Sequence, residues 1–144
     1  MSRKSEKIAD WIKGHPGGKL DPHYLGYFEL FNQGQFYEAH DVLEKLWLPS
    51  RGGPNGAFYK GLIQLAGAFV HLQKHTSWRP RLGPAMALLK LARANLERYP
   101  AVHEYLEISR VLALIATWLV RLESDTFSAS PLGPEKLPRL QLLV

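Results

Sequence analysis

An all-α fold, a single-domain bundle of five to six helices with an extended proline-rich C-terminal arm, is the class this sequence predicts. Three observations lead there. Apolar residues recur at helical spacing almost throughout, the periodic segments are separated by short Gly/Pro/Asn punctuation, and no stretch of useful length alternates as a strand would. The chain has 144 residues, 46% of them hydrophobic, with a mean hydropathy of -0.18. That is enough chain to bury a core as one domain without staples.

The elements follow in order. A first helix is predicted over 5–13, stopped by His15-Pro16-Gly17-Gly18. Asp21-Pro22 opens the second, because Asp caps free backbone N–H groups and Pro suits the first turn. Gly34 is a natural left-handed terminus for it. A third helix spans 35–48, ended by Pro49 and the Gly52-Gly53-Pro54 loop. The fourth, 54–75, is the most apolar and therefore central. Pro84 starts a fifth helix that runs to Tyr99, with Ala85, Leu88, Leu89, Ala92 and Leu96 on one stripe. A sixth covers 102–122, where Val111, Leu112, Ile115, Trp118, Leu119 and Leu122 keep helical spacing. Short linkers make consecutive helices antiparallel neighbours. From Asp125 the prolines at 131, 134 and 138 exclude a helix. The chain thus divides into a bundle over 1–124 and an arm over 125–144, packed on the bundle or on a second subunit.

Composition excludes several functions. Without cysteine there is no disulfide, thiolate metal site or cysteine nucleophile. No run approaches the ~18 apolar residues of a membrane span. The basic N-terminus lacks an apolar signal core, which predicts a cytoplasmic protein. Net charge is +5, unevenly spread. Residues 21–48 carry Asp21, Glu29, Glu38, Asp41 and Glu44 against Lys45, whereas 78–99 carry Arg79, Arg81, Lys90, Arg93 and Arg98 against Glu97. The basic residues are scattered, so nucleic-acid binding ranks last among the functional readings. No serine sits on a nucleophile elbow, and Arg51-Gly-Gly-Pro-Asn-Gly56 lacks the Lys-Ser/Thr ending of a phosphate loop.

Chemistry concentrates in the third helix. At about 100° per residue, Phe36, Ala39, His40, Leu43, Leu46 and Trp47 share one side, Glu44 lies at its edge, and Glu38, Asp41 and Lys45 fall opposite. His40 and Glu44 are four apart and can meet. In the fourth helix Lys60, Gln64, Gly67, His71 and His75 form a narrow polar stripe on an otherwise apolar rod. Packed antiparallel, the two helices bring His40 and Glu44 toward Gln64 and His71. Two imidazoles and a carboxylate (His40, His71 and Glu44) suffice to hold zinc, manganese or iron with water in an open position. Glu38 or Asp41 would orient that water or a small-molecule substrate, and Lys60, Gln64 and Trp47 would bind the substrate. The competing reading is a structural hydrogen-bond seam in a non-enzymatic, homodimeric helical binding module. Of the other histidines, His15 and His23 read as surface residues, His75 as a cap on helix-end carbonyls, and His103 as near a helix start. Trp11, Trp78 and Trp118 read as core or subunit contacts.

Phe31-Asn32-x-Gly34-x-Phe36-Tyr37-Glu38-Ala39-His40-Asp41-x-Leu43-Glu44-x-x-Trp47 resembles the signature of a small all-helical bacterial and archaeal family, number three-hundred-and-nine among the domains of unknown function. Phe58 to Ala66 and the later His71 resemble its second block, so the likeness covers 27–74. Asp41 stands where the family usually carries glutamate, which keeps the charge. The resemblance implies an all-α fold and a label, predicted metal-dependent hydrolase, with no substrate attached. Glu38, His40, Asp41, Glu44, Lys60, Gln64 and His71 are the positions that match the family's polar set.

Overall fold

Asp21 starts the first described helix as its sequence demands: its carboxylate accepts the His23 backbone N–H at 2.7 Å, and Pro22 fills the first position. This is α1, Pro22–Asn32. It ends in a Schellman turn, with Gly34 N–H bonded to Phe31 O and Gln35 N–H to Leu30 O, each at 2.9 Å. Gly34 takes φ +76°, which glycine adopts without steric cost. The computed structural model describes residues 20–124, 129–133 and 137–143. There α1 is followed by α2 (Phe36–Ser50), α3 (Gly56–Lys74), α4 (Leu82–Leu96), a small antiparallel hairpin of β1 (Val102–His103) and β2 (Leu106–Glu107), and α5 (Ile108–Ser124). The predicted all-α class holds. The helix expected over 5–13, with Trp11 and His15, lies outside the described residues.

Three local expectations are corrected. Pro49 does not end α2, which continues to Ser50. Pro49 lacks only the N–H that would reach Lys45 O, one turn back, and the Ser50 hydroxyl adds a bond to Leu46 O at 2.8 Å in the same last turn. Helix α4 begins at Leu82, with Pro84 inside its first turn. The helix expected from 102 starts only at Ile108, because Glu104 and Tyr105 both adopt positive φ (50° and 60°) and fold Val102–Glu107 into a tight hairpin. Two non-glycine residues in that region are strained. Tyr24 offsets the strain by donating its hydroxyl to Glu104 O at 2.8 Å, while Leu143 N–H reaches Tyr105 O at 2.7 Å.

The core is built on α3. Phe58, Leu62, Leu65, Phe69 and Leu72 are fully buried, and α2 and α4 both pack on this helix with little contact between them. Phe69 gathers Phe36, Phe31 and Trp118 within 5.3, 5.8 and 5.3 Å between ring centroids. Trp118 is thus a core residue, whereas Trp78 is 92% exposed. The phenol of Tyr27, buried and kept neutral by that burial, donates to Leu62 O at 2.7 Å. Residues 137–143 run along the bundle: the Asn32 side chain exchanges two 2.7 Å hydrogen bonds with the Leu140 backbone, and Leu142 bridges to Leu106.

The turn from α2 into α3 is sterically tight. A Cβ at Gly56 would collide with the Arg51 carbonyl oxygen. Gly56→Ala should therefore lose about 1–3 kcal/mol of stability. Gly52→Ala, where a Cβ meets nothing within 4 Å, should move the urea midpoint far less.

Candidate metal centre and polar groove

Helices α2 and α4 both pack on α3 with little contact between them, and the partly exposed polar stripe of α3 lies along a groove between the two. Contacts along the stripe fix its orientation. Lys60 Nζ lies 4.3 Å from the Trp47 ring and Lys74 Nζ lies 5.9 Å from the Tyr37 ring, so both lysines lean toward α2. Gln64 and His71 lean the other way. The Asn95 amide donates to Gln64 Oε1 at 2.7 Å, and an Arg81 guanidinium nitrogen stands 3.5 Å from His71 Nδ1. Trp47 to Lys60 and Tyr37 to Lys74 confirm that α2 and α3 are antiparallel. His40 and Glu44 lie on the same stripe of α2 as Tyr37 and Trp47, and so border the groove.

On that wall His40, Asp41 and Glu44 converge. One imidazole nitrogen and one oxygen from each carboxylate lie within 4.8 Å of one another, and all three residues are partly buried. His40 Nε2 is 3.7 Å from Glu44 Oε2, an i,i+4 pair. Asp41 is one residue from His40 and three from Glu44, so a single helical turn assembles the set. Helical phase alone put Asp41 on the opposite face. Asp41 and Glu44 are three apart and so neighbours on the helix surface, and Glu44, at the edge of the face, joins Asp41 to His40.

The eight residues selected from sequence are therefore distributed unevenly. His40, Asp41 and Glu44 form one group, and among the described residues it is the only such cluster of three potential donors. His71 does not complete a donor set with His40 and Glu44; it faces Arg81. Glu38 belongs to the first turn of α2, where a negative charge favours the helix dipole, and is not in the group. Lys60 and Trp47 touch each other at one end of the groove, while Gln64 is committed to Asn95. His75 is 3% exposed, and its Nδ1 accepts the Arg81 backbone N–H at 2.9 Å.

Sequence reasoning missed a second polar cluster beside the Arg51–Gly56 loop. His103 Nε2 meets Asn55 Oδ1 at 2.7 Å, and its ring lies against Phe58 and Tyr99 at 4.8 and 4.7 Å. The Tyr99 hydroxyl donates to Pro54 O at 2.8 Å and accepts the Phe58 N–H at 2.9 Å, capping α3 from the turn that follows α4. The hydrogen bonds join the 54–58 segment to Tyr99 and His103 across more than 40 positions of sequence, and no spacing rule links the two segments.

A small helical bundle with one polar groove, carrying a histidine–carboxylate cluster on one wall, is the class of protein these features define. Residues 24–79 match the family described as Domain of unknown function (DUF309). That stretch contains α2, α3 and the whole His40–Asp41–Glu44 cluster. No curated protein and no solved structure matches the chain. Among the described residues, no helix is long and apolar enough to cross a membrane.

Electrostatics sets the state of His71. Burial, then the positive charges of Arg81 and Lys74, hold its imidazole below the ordinary histidine value of 6.5. The folded chain thus protonates His71 less readily than the unfolded chain does. This residue costs nothing above that value and costs stability as pH falls below it. An NMR titration of the His71 ring should show a midpoint below 6.5, and Arg81→Gln should raise it. His71→Asn should lose less stability than the parent on acidification.

Proposed function

We propose that His40, Asp41 and Glu44 hold a divalent cation (zinc, manganese or iron) and that the chain catalyses metal-assisted hydrolysis of a small substrate bound in the groove. The convergence of the three donor atoms within 4.8 Å carries this reading. The donor set fits such an ion. Imidazole and carboxylate are its usual ligands, and donors around one ion sit about 3–4 Å apart. The 3.7 Å between His40 and Glu44 lies in that range. A bound ion would supply Lewis acidity and a more acidic water.

The remaining roles fall to the chain. Three ligands from one helical turn leave the groove side open to water and substrate. Trp47, one turn beyond Glu44, offers an aromatic wall, and Lys60 adds a positive charge beside it. The Gln64–Asn95 pair and His71 line the floor toward α4. Asp41, which sequence spacing suggested as a water-orienting group, serves here as a ligand.

Zinc, manganese and iron(II) titrated by calorimetry into chelator-treated protein test the reading. Saturable binding at micromolar or lower dissociation constants is expected, with proton release as the ligands lose protons. His40→Ala and Glu44→Gln should each weaken it by at least about tenfold. A protein that binds no metal at micromolar concentration, or that binds it equally well as His40→Ala, overturns the assignment. His40 and Glu44 would then form a structural pair whose loss changes stability alone.

A further inference from the structure

At the Trp47 end of the groove lies a cavity of about 500 Å³, lined chiefly by Trp47, Arg51, Lys60, Asn95, Arg98 and Tyr99. Three of these side chains are cations and none is a carboxylate. Among the described residues, no acid pairs with Arg51, Lys60 or Arg98, whereas Arg110 pairs with Glu107 at 3.1 Å. Three like charges around one cavity repel, and a bound anion relieves that repulsion while gaining from each charge.

The cavity is also preorganised. Lys60 Nζ and the Arg51 guanidinium carbon lie 4.3 and 5.8 Å from the ring centre of Trp47, so one indole holds both cations in place. The loop that forms the rim is fixed from outside by the Tyr99 hydroxyl on Pro54 O and by His103 on Asn55. Gly52 and Gly53 keep that rim bare of side chains. Helix α3 begins at Gly56, on the cavity wall, and adds the positive end of its dipole.

We infer that this cavity is a binding site for a small phosphate-bearing ligand, with Arg51, Lys60 and Arg98 gripping a phosphoryl or pyrophosphoryl group. The charge-assisted hydrogen bonds that cations make to phosphate suit this set, and the volume suits a small molecule. The site contains none of His40, Asp41 and Glu44, so it stands whether or not those residues bind a metal.

Inorganic pyrophosphate titrated into the full chain in EDTA-containing, low-salt buffer tests it, read by two-dimensional amide NMR. Saturable shifts are expected at the Trp47 indole N–H and at the Gly52 and Gly53 amides. Lys60→Gln and Arg98→Gln should each weaken binding by about tenfold, while Arg110→Gln binds as the parent does. Circular dichroism confirms that the variants are folded. The inference is overturned by the absence of saturable shifts up to about 10 mM pyrophosphate, or by undiminished affinity in both folded variants. A single-stranded oligonucleotide that binds the loop while pyrophosphate fails to compete also overturns it.

Discussion

Burial of α3 is the constraint on which the rest of the structure depends. A helix with Phe58, Leu62, Leu65, Phe69 and Leu72 fully buried must be covered on nearly every side. Each such side chain contributes roughly 1.5–3 kcal/mol when it leaves water. Helices α2 and α4 supply cover from two directions, and α1 adds the Tyr27 hydroxyl to a carbonyl in the middle of the helix. Apart from its ends and Val70, the part of α3 that keeps contact with water is the narrow stripe of Lys60, Gln64, Gly67 and His71. It therefore emerges between the two flanking helices, and a polar groove results from the packing.

The groove separates charge along its length. The acidic, imidazole-bearing turn of α2 sits along the wall, and Arg51, Lys60 and Arg98 collect at the Trp47 end. This is the spatial form of an imbalance already present in the chain, acid-rich through 21–48 and base-rich through 78–99. Of the three cations only Arg98 comes from that base-rich stretch; Arg51 and Lys60 precede it, and they converge with Arg98 where the N-terminus of α3 and the C-terminal end of α4 meet at Tyr99.

Short-range relations in the candidate site are legible from spacing. The His40–Glu44 neighbourhood follows from four-residue separation within a helix, and the antiparallel course of α2 and α3 follows from their short glycine- and proline-rich loop. Direction within a stripe is not legible. Gln64 and His71 share a face with Lys60, yet they turn toward Asn95 and Arg81. The choice depends on which neighbouring helix offers a partner. The hairpin at Val102–Glu107 was likewise illegible, because Glu104 and Tyr105 have no local reason to adopt positive φ; Tyr24 and residues 137–143 hold them there.

By itself the sequence determined the helical class, the central place of the apolar fourth segment, the caps at Asp21 and Gly34, and the family signature around His40. These follow from periodicity and local backbone chemistry, which act within a few residues. Tertiary structure alone decided which donors converge, that Asp41 and not His71 joins His40 and Glu44, and that Tyr99 and His103 brace the loop before α3. The Asp41 contact is local to one helical turn, but the turning of His71 toward Arg81 and the Tyr99–His103 brace depend on contacts between elements. A side chain's partner there is fixed by how whole helices pack, which no local pattern encodes.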